Sequence, residues 1–245
     1  MFEKSKKIDI LKKELEKRKL KNMGVPNYFS GSINEIPKYF QYLNSPLILR
    51  SCVNHEDGKY SFSGVFESFY PIYTEVELKK YLSKMSIFGN IKLKEYEKLN
   101  ELNNFHYYIY PILQEFIIGD FSFVIDTLFK DKYLRIEAVP GINENLTSGI
   151  SRESVIINYD KLQKEFYIEK NINNNDYFLT ILNGKKQSKF FLVPSFEINF
   201  FRYYVNKLIN AGLLIEYIFS GKSQIIEGTI KNKKIWVLQS KDKTV

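Results

Sequence analysis

The stretch "IIEGTIKNKKIWVLQSK", residues 225–241, decides the fold, because two alternating apolar runs flank a short polar turn. This pattern predicts an antiparallel β-hairpin. A three-residue loop, Asn232–Lys234, would pair Glu227 with Gln239 and point both side chains to the same side of the sheet. A two-residue loop would instead place Glu227 opposite Leu238. The loop length therefore decides whether a carboxylate and an amide meet.

With the three-residue loop, Lys241 follows on the same face as Glu227 and Gln239. A carboxylate, an amide oxygen and an ammonium group in this order suit Mg²⁺ and phosphate, because Mg²⁺ takes hard oxygen ligands and shares them with substrate phosphates. An ordinary exposed hairpin face would show the same residues, and that alternative stays open from spacing alone.

A second stretch, "PLILRSCVNHEDGKYSFSGVFESF" at residues 46–69, places charge at the end of an apolar strand. The strand ends on Arg50 and runs into a polar turn followed by "SFSG" at 61–64. This arrangement predicts that Arg50 holds something charged. An ion pair with Glu56 or Asp57 at the surface is the alternative.

The remaining pattern predicts an α+β protein with a helical first lobe, 1–104, and a mostly antiparallel second lobe, 105–245, separated after the Asn-rich "KLNELNN". A capping-box spacing, Ser32 to Glu35, begins the second of the predicted helices. The helices are predicted at 3–21, 32–44, 76–104 and 196–219. The strands are predicted at the Arg50 stretch and at 107–117, 121–129, 133–139, 154–159, 164–169, 177–183, 189–193, 224–231 and 234–241.

The composition limits the cell compartment and the partners. The 245 residues carry a net charge of +8, and nine Lys/Arg against four Asp/Glu lie within residues 1–22. That excess predicts a solvated helix face; an anionic partner is the alternative. Cys52 is the only cysteine, and no apolar run approaches eighteen residues. We therefore expect a cytoplasmic protein without a membrane span.

Four segments in order, covering roughly residues 46–244, resemble the ATP-binding domain of phosphoenolpyruvate synthase and pyruvate phosphate dikinase. The Arg50 stretch resembles that family's Arg-Ser strand end with its Ser-Phe-x-Gly loop. "PILQEFI" at 111–117 is similar to the Gln-x-Met-Val adenine hinge, and "AVPGINENLTSGI" at 138–150 to the Gly-Leu-Gly-Glu segment. The closing hairpin resembles Ile-Glu-Trp followed by Leu-Gln-Ser-Arg-Pro.

The resemblance implies an ATP-grasp fold that holds ATP between two lobes and catalyses phosphoryl transfer by positioning and charge stabilisation. Arg50 and Lys241 would contact the phosphates as catalytic residues, and Glu227 and Gln239 would hold Mg²⁺. The other positions implied to bind the nucleotide are Ser63, Gly64, Gln114, Glu115, Phe116, Ile117 and Glu144.

Three departures from the family pattern bear on activity. Lys241 stands where the family has Arg, so the planar bidentate fork is lost. Gly228 stands where the family has Trp. The family's N-terminal glycine- and lysine-rich segment, whose lysine reaches the phosphates, has no counterpart within residues 1–30.

The phosphate acceptor is expected to come from outside the chain, as a small molecule or a separate histidine-bearing protein. His55 and His106 are interpreted as a loop residue and a strand residue, and Cys52 as a small buried residue. The leading hypothesis is an ATP-dependent phosphotransferase module resembling pyruvate, water dikinase. The alternative is a catalytically degenerate ATP-binding subunit that regulates a partner. A nucleic-acid binder is a third, disfavoured hypothesis, since no motif for reading bases is present.

Overall fold

The computed structural model describes residues 3–53, 67–99, 108–172, 174–192 and 202–243. These residues form helices and three sheets, and the pairings are antiparallel except for that of one two-residue strand. The predicted α+β class is confirmed. The helices are α1 (Glu3–Lys17), α2 (Glu75–Leu99), α3 (Glu144–Thr147) and α4 (Val205–Ile218), with a 3₁₀ helix at Ile36–Tyr42.

The strands follow the predicted order closely beyond residue 108. The first five are β1 (Met23–Gly24), β2 (Tyr28–Ser30), β3 (Leu47–Val53), β4 (Phe69–Ile72) and β5 (Ile109–Glu115). The next six are β6 (Phe121–Phe129), β7 (Tyr133–Pro140), β8 (Val155–Asp160), β9 (Glu165–Lys170), β10 (Asp176–Leu182) and β11 (Lys185–Phe191). The last two are β12 (Gln224–Lys231) and β13 (Lys234–Asp242).

The chain divides into two compact units, and the division differs from the predicted lobes. One unit contains Met1–Lys6 and Pro26–Phe116, and the other contains Lys7–Val25 and Ile117–Val245. The predicted boundary at 104/105 would place β5 in the second lobe. Instead β5 pairs with β2 and β3 inside the first unit. The unit to which β5 belongs is decided by its pairing with strands that are distant in sequence. The local sequence around β5 carries no signal of that pairing.

The first unit is built on a four-stranded sheet in the order β2-β5-β3-β4. One face of this sheet packs against α2 and the 3₁₀ helix through a buried cluster that includes Leu47, Leu49 and Leu113. The Ser32–Glu35 spacing does produce a turn in which the Ser32 N–H and Oγ both donate to Glu35 Oε2, at 2.9 and 2.8 Å. The turn opens a 3₁₀ helix rather than an α-helix.

The second unit contains a seven-stranded sheet in the order β1-β13-β12-β6-β7-β8-β9 and a separate β10–β11 hairpin. One face of the large sheet packs against α4, whose Leu208, Ile215 and Gly212 are buried. Helix α1 is joined to this unit by a salt bridge of 2.6 Å between Lys7 Nζ and Asp242 Oδ1. Burial raises the pKa of Asp242, but hydrogen bonds from Lys7 and Gln224 outweigh it and hold that pKa below its ordinary value.

The β12–β13 hairpin has a two-residue turn, so the predicted three-residue loop is wrong. Lys231 pairs with Lys234, and Asn232 and Lys233 have φ of 50° and 63°. Two consecutive positive φ values are typical of a type I′ turn, whose twist matches the flanking strands. Asn232 tolerates this conformation better than most residues because its short side chain bonds locally.

A β-bulge restores the predicted partner of Glu227. The register runs from the turn to Gly228 paired with Val237, then shifts, so that Glu227 faces Gln239. Leu238 is the extra residue, and it is buried beside Val237 on the face that packs inward. The predicted pairing is therefore correct although the predicted loop is not, because one inserted residue has the same effect on register in either place.

Gly228 leaves room for an aromatic ring from the neighbouring strand. A Cβ atom added at Gly228 would lie 2.2 Å from Cζ of Phe123 and 2.8 Å from the Trp236 carbonyl oxygen. Phe123, fully buried, pairs with Gly228 across β6 and β12. Phe123 thus occupies the space that a side chain at residue 228 would need.

We expect Gly228→Ala to lower the free energy of unfolding by about 1–3 kcal/mol, because the new methyl group overpacks a core that is already filled. Urea denaturation monitored by circular dichroism measures this loss. A Phe123→Leu substitution makes room for the new methyl group. The double variant should therefore lose less free energy of unfolding than the sum of the losses of the two single variants. Strict additivity would show that the ring is not what excludes the methyl group.

Candidate functional site

Glu227 and Gln239 lie side by side on the face of the large sheet opposite α4, at the bulge between β12 and β13. Glu227, Gln239 and Lys241 are each partly exposed, whereas Leu238 and Ser240 are buried on the other face. Lys241 pairs with Ile225, one step along from Glu227 on the same side. The sequence prediction that these three residues share a face is therefore confirmed.

Lys241 is positioned without a partner of its own. Within the described residues its ammonium group makes no hydrogen bond or ion pair, although other cations of this face are paired. Lys243 contacts Asp126 at 2.7 Å, and Arg135 forms a two-bond ion pair with Glu169. The unpaired Lys241 is thus a cation that an incoming anion could engage.

Glu137 is a second carboxylate on this face that sequence reasoning missed. It pairs with Val124 on β6, and Val124 in turn pairs with Glu227 on β12, so the two glutamates lie in one row across three strands. Their Cα atoms are separated by two strand spacings, about 10 Å. Glu137 is partly buried and has no hydrogen bond or ion pair within the described part of the chain. Only the period-two alternation of β7 could have indicated it.

Asn143 is a third residue that the sequence did not single out, although it lies within the quoted "AVPGINENLTSGI" segment. Its Nδ2 donates to Glu227 Oε2 at 3.0 Å. Glu144, the residue predicted from that segment, instead forms a salt bridge of 2.8 Å with Lys186 of β11. The segment therefore reaches Glu227 through Asn143.

The oxygen-rich donor set around Glu227 fits a divalent cation of the Mg²⁺ type. Glu227 and Gln239 supply hard oxygen donors, and Asn143 adds a buried Oδ1 atom that accepts no hydrogen bond from the described residues. Mg²⁺ keeps several waters and needs only one or two protein carboxylates. Consistently, among the described residues no group of three or more His, Cys, Asp and Glu converges as a closed protein cage would.

The first unit carries its own polar residues on the sheet face opposite its helical core. Arg50 pairs with Ile112 and Ile48 pairs with Gln114, so Arg50 and Gln114 lie on one face in neighbouring rows. The Gln114 side chain is 1% exposed, yet within the described residues neither its Nε2 nor its Oε1 has a hydrogen-bond partner. A buried amide without partners costs about 1–3 kcal/mol, so it favours a ligand that supplies them.

Two backbone N–H groups at the end of β5, those of Glu115 and Phe116, are used in hydrogen bonds within the first unit. The Glu115 N–H donates to the Asn27 carbonyl at 2.9 Å, and the Phe116 N–H donates to the Pro46 carbonyl at 2.8 Å. The N–H of Ile117 has no such backbone acceptor within the described residues. Of these three N–H groups, that of Ile117 is the one without a backbone acceptor among the described residues.

The Glu115 side chain is structural in this geometry. Its Oε1 accepts from the N–H and Nδ2 of Asn44, and its Oε2 accepts from the N–H and Nδ2 of Asn27. The four bonds connect β5 to the segments that precede β2 and β3. Both oxygens of the Glu115 carboxylate are therefore used in holding these segments together.

The predicted site residues Ser63 and Gly64 lie outside the described residues, as do His55, His106, Glu56 and Asp57. Cys52 is buried, as the sequence suggested, with 2% of its surface exposed. No helix in the described ranges is both long and apolar enough to cross a membrane.

Solved structures similar to this chain include that of a bacterial ligase. The chain resembles a D-alanine-D-alanine ligase from Helicobacter pylori with 11% sequence identity and a TM-score of 0.35, covering 94% of this chain and 52% of the ligase chain. The chain thus spans about half the length of that protein. No protein-family model matches the chain, and no curated protein matches it.

We expect Glu115→Gln to lower the free energy of unfolding by about 1–3 kcal/mol, because the new amide group presents a donor where backbone and side-chain donors already point. Glu137→Gln is the matched control: that carboxylate has no partner to lose, so the change should stay within about 0.5 kcal/mol. Equal destabilisation by both substitutions in chemical denaturation would remove the structural role assigned to Glu115.

Proposed function

We propose that this protein binds Mg-ATP through an ATP-grasp-like fold and transfers phosphate from it to an external acceptor. The observation that carries this proposal is the bulge at Leu238, which places the Glu227 carboxylate beside the Gln239 amide, one step from the unpaired Lys241. An ordinary surface hairpin does not require such an irregularity. The resemblance of four sequence segments to the phosphoenolpyruvate synthase family supports the same reading.

Each residue has a defined chemical task in this proposal. Glu227 and Gln239 hold the cation that accompanies the nucleotide, and that cation supplies charge neutralisation at the phosphates when it is bound. Lys241 places a positive charge near a phosphate oxygen, and Arg50 in the first unit does the same through its guanidinium. Phosphoryl transfer needs mainly such positioning and electrostatic stabilisation.

Gln114 is assigned to the nucleotide base, together with the backbone of Glu115 to Ile117. An adenine ring presents an N–H donor and a nitrogen acceptor side by side, and a glutamine amide matches that pair. The buried and unpartnered amide of Gln114 supports this assignment. The roles of Ser63, Gly64 and Glu144 in nucleotide binding, and the cytoplasmic location, stay predictions from the sequence.

A degenerate ATP-binding subunit is the second candidate, and Lys241 is the observation that favours it. A lysine in the position of the family's arginine keeps the charge but loses the planar fork that grips a phosphate in two places. Such a protein would bind Mg-ATP without consuming it. Sensitive measurement of phosphate and AMP release, with and without candidate acceptors, separates the two functions.

Thermal unfolding with Mg-ATP tests nucleotide binding directly. At about one hundred times the dissociation constant a ligand should stabilise the protein by roughly 2.7 kcal/mol. We expect Glu227→Ala, Lys241→Ala and Arg50→Ala to reduce this stabilisation. Glu165→Ala and Lys189→Ala, which remove exposed charges from β9 and β11, should retain it. A wild-type protein that ignores Mg-ATP would overturn the proposed function.

The substitution Gln114→Leu should change the stability of the free protein and its binding of Mg-ATP in opposite directions. Because the substitution removes a buried amide that lacks hydrogen-bond partners, the free energy of unfolding without ligand should rise by about 1–3 kcal/mol. The stabilisation by Mg-ATP should fall at the same time. Titration calorimetry and denaturant unfolding of the same preparation measure the two effects. A loss of stability without ligand would contradict the assignment.

A further inference from the structure

Asn143 occupies the position at which an asparagine normally caps a helix, but it does not cap one. It immediately precedes the short helix α3, and its side chain makes no capping hydrogen bond. Asparagine is among the best capping residues because its oxygen accepts from the first helical N–H groups. The Asn143 side chain does not bond these N–H groups, and its Nδ2 donates to Glu227 Oε2 instead.

The loop that carries Asn143 is held rigidly on both sides. Gly141, with φ of +79°, donates its N–H to Asp120 O at 2.9 Å, and its own carbonyl accepts from Ser122 Oγ at 2.7 Å. Asn145 is buried and uses both ends of its amide: Nδ2 donates to three carbonyl oxygens, and Oδ1 accepts from the Leu179 N–H. The backbone on both sides of Asn143 is therefore anchored, and its side chain is held by the bond to Glu227.

The second end of the Asn143 amide has no partner in the part of the chain that the structure describes. There, Oδ1 is buried and accepts no hydrogen bond, whereas Nδ2 of the same group is bonded to Glu227. Because the two atoms share one carbon, Oδ1 lies within about 5 Å of Glu227 Oε2. A buried acceptor left unpaired costs about 1–3 kcal/mol, which a cation or its bound water would recover.

We propose that Asn143 belongs to the metal site: Nδ2 orients the Glu227 carboxylate, and Oδ1 is a further oxygen ligand, direct or through a water, for the divalent cation. This inference rests on the proposed function, because it concerns the cation assigned to Glu227 and Gln239. It makes Asn143 a positioning residue whose loss changes metal affinity, whatever acceptor the protein uses.

The test compares Asn143→Ala with Asn143→Asp in Mn²⁺ titrations followed by electron paramagnetic resonance, with Mn²⁺ alone and with Mn-ATP. The alanine variant loses both the orienting donor and the oxygen, so metal affinity should fall about tenfold or more. The aspartate variant loses the donor but keeps an oxygen in place and adds charge. Its metal affinity should therefore exceed that of the alanine variant.

Asn158→Ala is the matched control, because Asn158 donates to Glu169 in the same sheet through an equivalent amide–carboxylate bond of 2.7 Å. It should leave Mn²⁺ affinity unchanged. Thermal melts in EDTA confirm that each variant is folded before titration. These melts also report the structural contribution of each asparagine independently of metal.

The possible failures are distinguishable. If wild type binds Mn-ATP and Asn143→Ala binds it equally well, the role of Asn143 is overturned and the proposed function stands. If both Asn143 variants weaken metal binding to the same degree, the oxygen is not a ligand and the inference is overturned. If wild type binds neither Mn²⁺ nor Mn-ATP, the proposed function fails and the inference fails with it.

Discussion

The bulge at Leu238 is the constraint on which the chemistry of the second unit depends. A strand alternates its side chains with a period of two, so regular alternation through Leu238, without a bulge, would turn Gln239 and Lys241 into the core and Ser240 outward. With it, Leu238 joins Val237 in the buried layer, and the three polar residues emerge on the face of Glu227. Bulges commonly redirect side chains in this way beside functional sites.

The strands beside the bulge complete the same arrangement. Phe123 fills the space that Gly228 leaves, so β12 and β6 pack closely on the α4 side. On the opposite side, Asp126 and Arg135 are occupied by Lys243 and Glu169, whereas Glu137 and Lys241 have no partner within the described part of the chain. The unpaired charges therefore lie in two adjacent rows of this face, Glu137 in the row of Glu227 and Lys241 in the next row, beside Asp126 and Arg135, whose charges are neutralised.

The first unit shows a similar division between committed and uncommitted polar groups. Glu115 uses its whole carboxylate to connect three segments, while Gln114, its neighbour in β5, has a buried amide that bonds to none of the described residues. Sequence position alone makes the two residues equivalent, since both fall within the quoted hinge. The alternation of a strand sends them to opposite faces, and that is why one is structural and the other is a candidate ligand.

The sequence by itself determined the class of the fold and most of the strands, because period-two alternation and turn residues are local signals. It also identified Glu227, Gln239 and Lys241 as partners on one face. It could not determine that β5 belongs to the first unit, that the hairpin turn has two residues with a bulge beyond it, or that Asn143 and Glu137 accompany Glu227. Those features depend on pairing between distant strands and on which buried polar atoms find partners, and such contacts exist only once the chain is folded.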